Sequence, residues 1–297
     1  MLTKVGKAAL RVSAWLLPAV LLHVGGNVAG QQVDPPGPAA GARQVGISLA
    51  PSVVTLAGQP GQAYRHTLRL TNHTTRELSF RLEAQDVVAD KGRRTFVNAG
   101  ERPDSIAATA VFSPKEITIA PGAVGTADVT LTVPGGTAVR GVAAIFRGQT
   151  LVGNQRGVAM TASLGALITF TLSGSIHLDA SAPEVSDQTE ASSLSSAEWV
   201  TNVGTEPVVA SGAVALLNEA GTLVGKIPVE PKRLMPGERL SFSAEYPTVL
   251  TPGRYRALVS LEYDDQDRKV LTRMADFEVQ APRSDRRIAD RSVGIRD

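Results

Sequence analysis

Side chains able to do covalent or metal chemistry are few in this chain, and their spacing excludes most of that chemistry. Cysteine is absent, and histidine occurs four times, at His23, His66, His73 and His177. Without cysteine there is no thiolate nucleophile and no cysteine-based zinc site. His66 falls on an apolar strand face, His73 in a turn and His177 on a strand exit, so no pair has ligand spacing. No serine stands in a nucleophile-elbow context, and no phosphate loop is present. Asp264, Asp265 and Asp267 bring carboxylates together but lack the spaced oxygens and distal Glu of a calcium loop, which predicts a solvated hairpin turn. Asn72-His73-Thr74 fits the glycosylation pattern, yet it sits where the chain needs a turn. The expectation is a non-catalytic protein with no metal and no cofactor.

Binding is the function that remains, and one segment is suited to it. In Val158–Leu172, the residues Val158, Met160, Ala162, Leu164, Ala166, Ile168, Phe170 and Leu172 all fall on one face of an extended chain. A strand of that length spans about 50 Å, far beyond the usual 5–6 residues. Such a strand can accept or donate main-chain bonds to a partner, with alternate side chains filling pockets. Met160, Leu164, Ile168 and Phe170 are the candidate partner contacts. The same alternation also describes an ordinary last strand of a sandwich, with Gly165 marking a bend or bulge. Both readings fit the residues.

The elements that would position this strand follow a repeated plan. Ser113–Pro134 reads as two strands joined by Ala120-Pro121-Gly122, where Pro presets one turn φ and Gly supplies another. Ala127, Val129, Leu131 and Val133 then form a dry face that alternates with Asp128, Thr130 and Thr132. Lys232–Pro247 repeats the turn at Pro236-Gly237, with Leu240, Phe242, Ala244 and Tyr246 on the dry face. Thr201-Asn202 echoes Thr71-Asn72. Turn signals at short intervals and the absence of a helical period predict an all-β chain of two tandem immunoglobulin-like β-sandwiches. Trp199 is the expected buried core residue of the second, and Tyr255 its expected tyrosine corner. Pro51 confines its strand to an edge or to a switch between sheets.

Composition sets the compartment and the class of partner. The predicted organisation is a signal peptide at 1–30, a Pro/Gly-rich leader at 31–44, sandwiches at 45–173 and 174–281, and an Arg-rich tail at 282–297. Residues 1–30 carry Lys4, Lys7 and Arg11, an apolar stretch and then Val28-Ala29-Gly30, a tripartite export signal. Those three cations face no acid within 1–30, so the chain's net charge of +2 becomes −1 without that segment, and nucleic acid is not an expected partner. No later stretch is apolar and long enough to predict a transmembrane anchor. An extracytoplasmic place, periplasm or cell surface, is expected. With aromatics at only 4%, the cores must be largely aliphatic.

The run SPKEITIAPG, continued by Thr126-Ala127-Asp128-Val129-Thr130-Leu131-Thr132-Val133-Pro134 and then Gly141–Phe146, resembles the N-terminal sandwich of PapD-like periplasmic pilus chaperones. The second unit, with Asn202, Gly221, Pro236-Gly237 and Pro252-Gly253-Arg254-Tyr255, is more similar to the WxL-interacting protein family. These resemblances imply two sandwiches that bind envelope or surface proteins, and peptidoglycan in the second family. They also imply an alternative role, a chaperone that lends strand 158–172 to pilus or surface subunits. Pilus chaperones hold a subunit's terminal carboxylate with a basic pair; neither Ile47–Leu56 nor Val158–Leu172 contains Arg or Lys.

Overall fold

The computed structural model describes residues 46–148, 163–188, 193–247, 250–263, 267 and 269–280. The predicted signal peptide and leader, Val158–Ala162 with Met160, Asp264, Asp265 and the Arg-rich tail lie outside the described residues. The first half runs β1 (Ile47–Ala50), β2 (Val53–Ala57), β3 (Ala63–Asn72), β4 (Leu78–Asp90), β5 (Arg93–Asn98), β6 (Val111–Ser113), β7 (Glu116–Ile119), β8 (Val124–Thr132), β9 (Gly141–Gly148) and β10 (Ser163–Thr171). The second runs β11 (Leu178–Ala180), β12 (Glu184–Gln188), β13 (Ser193–Asn202), β14 (Val208–Asn218), β15 (Leu223–Leu234), β16 (Arg239–Tyr246), β17 (Gly253–Tyr263) and β18 (Lys269–Val279).

Each half is a pair of facing sheets, so the fold is all-β and immunoglobulin-like. In the first, β1-β3-β8-β6 faces β2-β10-β9-β4-β5, with β7 beside β4. In the second, β13 lies between β16 and the short strands β11 and β12, facing β15-β14-β17-β18. The repeated Pro-Gly turn does not close a hairpin in either copy: it carries the chain from one sheet to the other, from β7 to β8 and from β15 to β16. Pro51 also lies at a sheet switch. β1 pairs antiparallel with β3, whereas β2, just past the proline, runs parallel to β10.

Alternation sets the cores. Leu68, Leu70, Phe80, Leu131, Phe146, Ile168 and Phe170 fill the first, and Leu178, Val200, Leu216, Leu234, Phe242, Val259 and Leu261 fill the second. Three of the largest fully buried side chains in the first core are phenylalanines, so scarce aromatics are concentrated there. Tyr255 makes the expected corner: its hydroxyl donates to Thr251 O at 2.7 Å.

Two expectations are corrected. Trp199 is 43% exposed, because β13 turns Val200, Glu198 and Ser196 inward and Trp199 outward, under the guanidinium of Arg239 at 5.0 Å. Gly165 introduces no bulge; it pairs with Ile145 in an unbroken register between Ser163–Arg147 and Thr169–Gly141.

Candidate functional site

β10 is held on both edges over only part of its length. β9 pairs with it from Ser163 to Thr169, while β2 pairs with it from Leu167 to Thr171. Ser163–Ala166 therefore has one edge with no ladder partner among the described residues. The donors on that edge can be assigned. Leu167 N donates to Ser52 O on the β2 side, and Phe170 N donates to Arg140 O on the β9 side. Alternation then puts the N–H groups of Ser163 and Gly165 on the free edge.

The candidate contacts divide between core and surface. Ile168 and Phe170 have no exposure and belong to the first core, and Leu164 packs partly against it. Two of the named contacts thus hold the fold, because the inward face of β10 is already filled by β3 and β8 across the sandwich. What this strand offers a partner is its backbone edge and its other face. On that face Leu167 lies beside Val53, which is 46% exposed, and packs with Ile145, Val87, Ala143 and Met235. An apolar shelf therefore adjoins the free edge. Sequence reading missed it, since Leu167 is out of phase with the alternation that drew attention to the strand.

At the other end of β10, a groove of about 740 Å³ is lined by Thr55, Gly58, Thr171, Ser173, Val209 and Arg233, among others. Arg233 is half-buried, and its Nη1 lies 3.5 Å from Thr169 Oγ1. Burial, and then the neighbouring Arg94, push its guanidinium below the ordinary value. A cation in this position favours an anionic group beside it.

The shelf and groove are fixed by contacts between the two halves. Met235, fully buried, packs against Val87 and Ala143. Glu238 accepts from Arg94 Nη2 and from Met235 N, both at 2.8 Å. Glu206 accepts from Arg140 Nε at 3.1 Å, Leu172 N at 2.8 Å and Gly174 N at 2.9 Å. Both carboxylates are nearly inaccessible, at 1–2% side-chain exposure, and both are hydrogen-bonded and ion-paired. The positions could have been flagged in the sequence only by an acid in a turn otherwise matched to the first half.

No metal-ligating cluster occurs among the described residues, and no helix there is long and apolar enough to cross a membrane. No family model matches the chain, and no curated protein matches it. Among solved structures it is similar to the class 5 fimbriae chaperone CfaA, at 12% identity over 77% of this chain and 98% of that one, with a TM-score of 0.42. It is also similar to the E. coli chaperone DraB, at 12% over 80% and 98%, TM-score 0.36. The Pseudomonas aeruginosa CupB2 chaperone matches at 11% over 78% and 100%, TM-score 0.34. At these identities and TM-scores the likeness carries no argument about function.

Proposed function

We propose that this chain is a non-catalytic, extracytoplasmic binding protein that holds an extended segment of a partner protein by strand addition along Ser163–Ala166. The single observation behind this reading is the edge of β10 left without a ladder partner among the described residues before β2 begins at Val53. A partner strand there would accept the N–H groups of Ser163 and Gly165 and lay alternate side chains on Leu167, Val53 and Ile145. Main-chain bonds would give affinity and the shelf would give selectivity for apolar residues. Such a role is that of a chaperone for envelope or surface subunits, with Leu164 as the candidate side chain nearest the edge. Arg233 supplies the positive charge that Ile47–Leu56 and Val158–Leu172 lack. No comparable observation favours peptidoglycan as the partner.

Gly165→Pro tests the reading, because proline removes one free-edge donor and leaves the β9 ladder intact. A Cβ at Gly165 has room, meeting nothing closer than Ala144 O at 3.8 Å, and the ring takes the place of an N–H that points to the free edge. With a photo-crosslinking residue at Ser163, the unmodified chain should label one extended segment of an exported protein in the native host. In Gly165→Pro the melting temperature should hold while the labelling falls at least tenfold. Labelling that survives the proline would rule out strand addition at this edge.

A further inference from the structure

Glu198 stands where the first half has a leucine. Leu68 on β3 lies opposite Ala127 on β8, and Glu198 on β13 lies opposite Phe242 on β16, at the same place in the repeated motif. Leu68 has no exposure and Glu198 has 1%. The fold therefore accepts a hydrocarbon at this point, and the carboxyl is not required for packing. Neither carboxyl oxygen has a hydrogen-bond partner among the described residues, and neither does Ser196 Oγ, on the same face two residues earlier.

Charged groups around it are few. The inward faces of β14, β16 and β17 bring none. On β15, Lys232 is committed to Ser241 O at 2.7 Å and to the Phe242 ring. On β12, Glu184 is exposed. At the start of β18, Lys269 reaches Ile176 O at 3.2 Å. Arg273 of β18 lowers the cost of charging Glu198 by its positive charge, without a hydrogen bond to it, because its own donors are engaged elsewhere. Arg273 donates from Nε to Ala180 O at 3.2 Å and from Nη2 to Asp179 Oδ1 at 3.3 Å, clasping β11 to the edge of the opposite sheet. Asp179 is 67% exposed, and an exposed ion pair of this kind is weak.

We propose that Glu198 is a proton-controlled latch on this clasp. Neutral, the carboxyl stays buried and leaves Arg273 on Asp179 and Ala180. Ionised, it draws the guanidinium inward, releasing β11 from β18. Burial, opposed by the charge of Arg273, pushes the Glu198 carboxyl up to about 7, so the latch works near neutral pH. An unpaired buried charge costs more than the exposed pair it breaks, which sets the direction of the exchange.

Hydrogen exchange of the full chain at pH 5.5 and pH 8, corrected for intrinsic rates, tests this directly. Protection of the β11 amides should fall at least tenfold at pH 8 in the unmodified chain. In Glu198→Gln, and in Glu198→Leu, which copies the first half, the fall should vanish. Arg273→Gln should show low β11 protection at both pH values. Protection in β11 that ignores pH, or that still falls in the Glu198 variants, overturns the latch. So does a pH-dependent global stability with β11 unchanged, since Glu198 would then be only a buried acid.

Discussion

The two halves build the same corner and use it differently. In the first, Asn72 Nδ2 donates to Arg76 O at 2.7 Å and Ile119 O at 3.0 Å, while Oδ1 accepts from Thr74 N at 3.0 Å. In the second, Asn202 Nδ2 donates to Glu206 O at 2.8 Å and Leu234 O at 3.2 Å, while Oδ1 accepts from Gly204 N at 3.0 Å. Gly122 N and Gly237 N each donate to the asparagine carbonyl at 2.8 Å. Backbone groups make the bonds that both corners share, so the other side chains around them are free to vary. The first presents Arg76 and Ala120 to solvent, with Ala123 half-buried. The second carries Glu206, Met235 and Glu238 at the matching positions, and these three join the halves. A joint has been made from a surface turn by changing side chains that the turn itself does not need.

The sharpest break in the comparison is at Glu206. Glu206→Ala would leave Arg140 unpaired at 10% side-chain exposure and orphan the N–H groups of Leu172 and Gly174. A cost of about 3–5 kcal/mol is expected in denaturant unfolding. Arg76→Ala, at the matching exposed site, should stay within about 0.5 kcal/mol. Similar costs for the two would mean that the second corner is not a joint.

Next come the asparagines. Asn72→Ala and Asn202→Ala each strip hydrogen bonds from buried backbone groups, and about 2–4 kcal/mol is expected for each. Because the main backbone bonds are the same, and Asn72 adds only the Thr74 hydroxyl at 2.7 Å and Ala120 O at 3.3 Å, the costs should agree within about 1 kcal/mol. A wide gap in chemical denaturation would show that the corner in one half is propped by other contacts.

The repeat itself was legible: Pro-Gly turns, Thr-Asn echoes and dry faces at Ala127–Val133 and Leu240–Tyr246 all stand in the chain as read. Pattern could not show that these turns connect sheets rather than strands of one sheet, since hairpin and crossover have the same local chemistry. Trp199 was misplaced for a different reason. Size suggested burial, but its neighbours Val200 and Leu194 fix the inward phase of β13, and period two then forces position 199 outward. The same phase puts Glu198 inside, a signal present in the sequence and passed over. At β10 the alternation located the strand, while its useful parts, a one-sided edge and Leu167, depend on where β2 begins.

The Leu68–Glu198 difference predicts a pH dependence confined to the second half. A carboxyl held at about 7 when folded, against 4.5 when unfolded, binds its proton more tightly in the native state. Its contribution is therefore greatest at low pH and is lost as pH rises through roughly 4.5 to 7. Glu198→Gln should flatten that slope and stabilise the chain at pH 8 by up to about 3 kcal/mol. Thermal melts at pH 5 and pH 8 that shift equally in both proteins would contradict it.

The smallest effect is expected at Trp199. In the first half the matching residue is Arg69, exposed on β3 opposite Thr126; Trp199 lies opposite Ser241. The fold thus asks nothing apolar of this position. What Trp199 has gained is Arg239, which follows Glu238 in the modified corner and whose backbone N–H donates to Gly92 O at 2.8 Å in the other half. Trp199→Ala should remove one exposed cation–π contact, about 0.5–1 kcal/mol. Phe242→Ala, two residues beyond the strand position facing Val200 and 2% exposed, should cost about 3–5 kcal/mol. The ratio matters more than either value. If the tryptophan proves as costly as the phenylalanine, the outward phase of β13 is wrong, and Glu198 would then have to face solvent. A small tryptophan effect beside a large phenylalanine one fixes the phase for both Trp199 and Glu198, with the acid on the buried side.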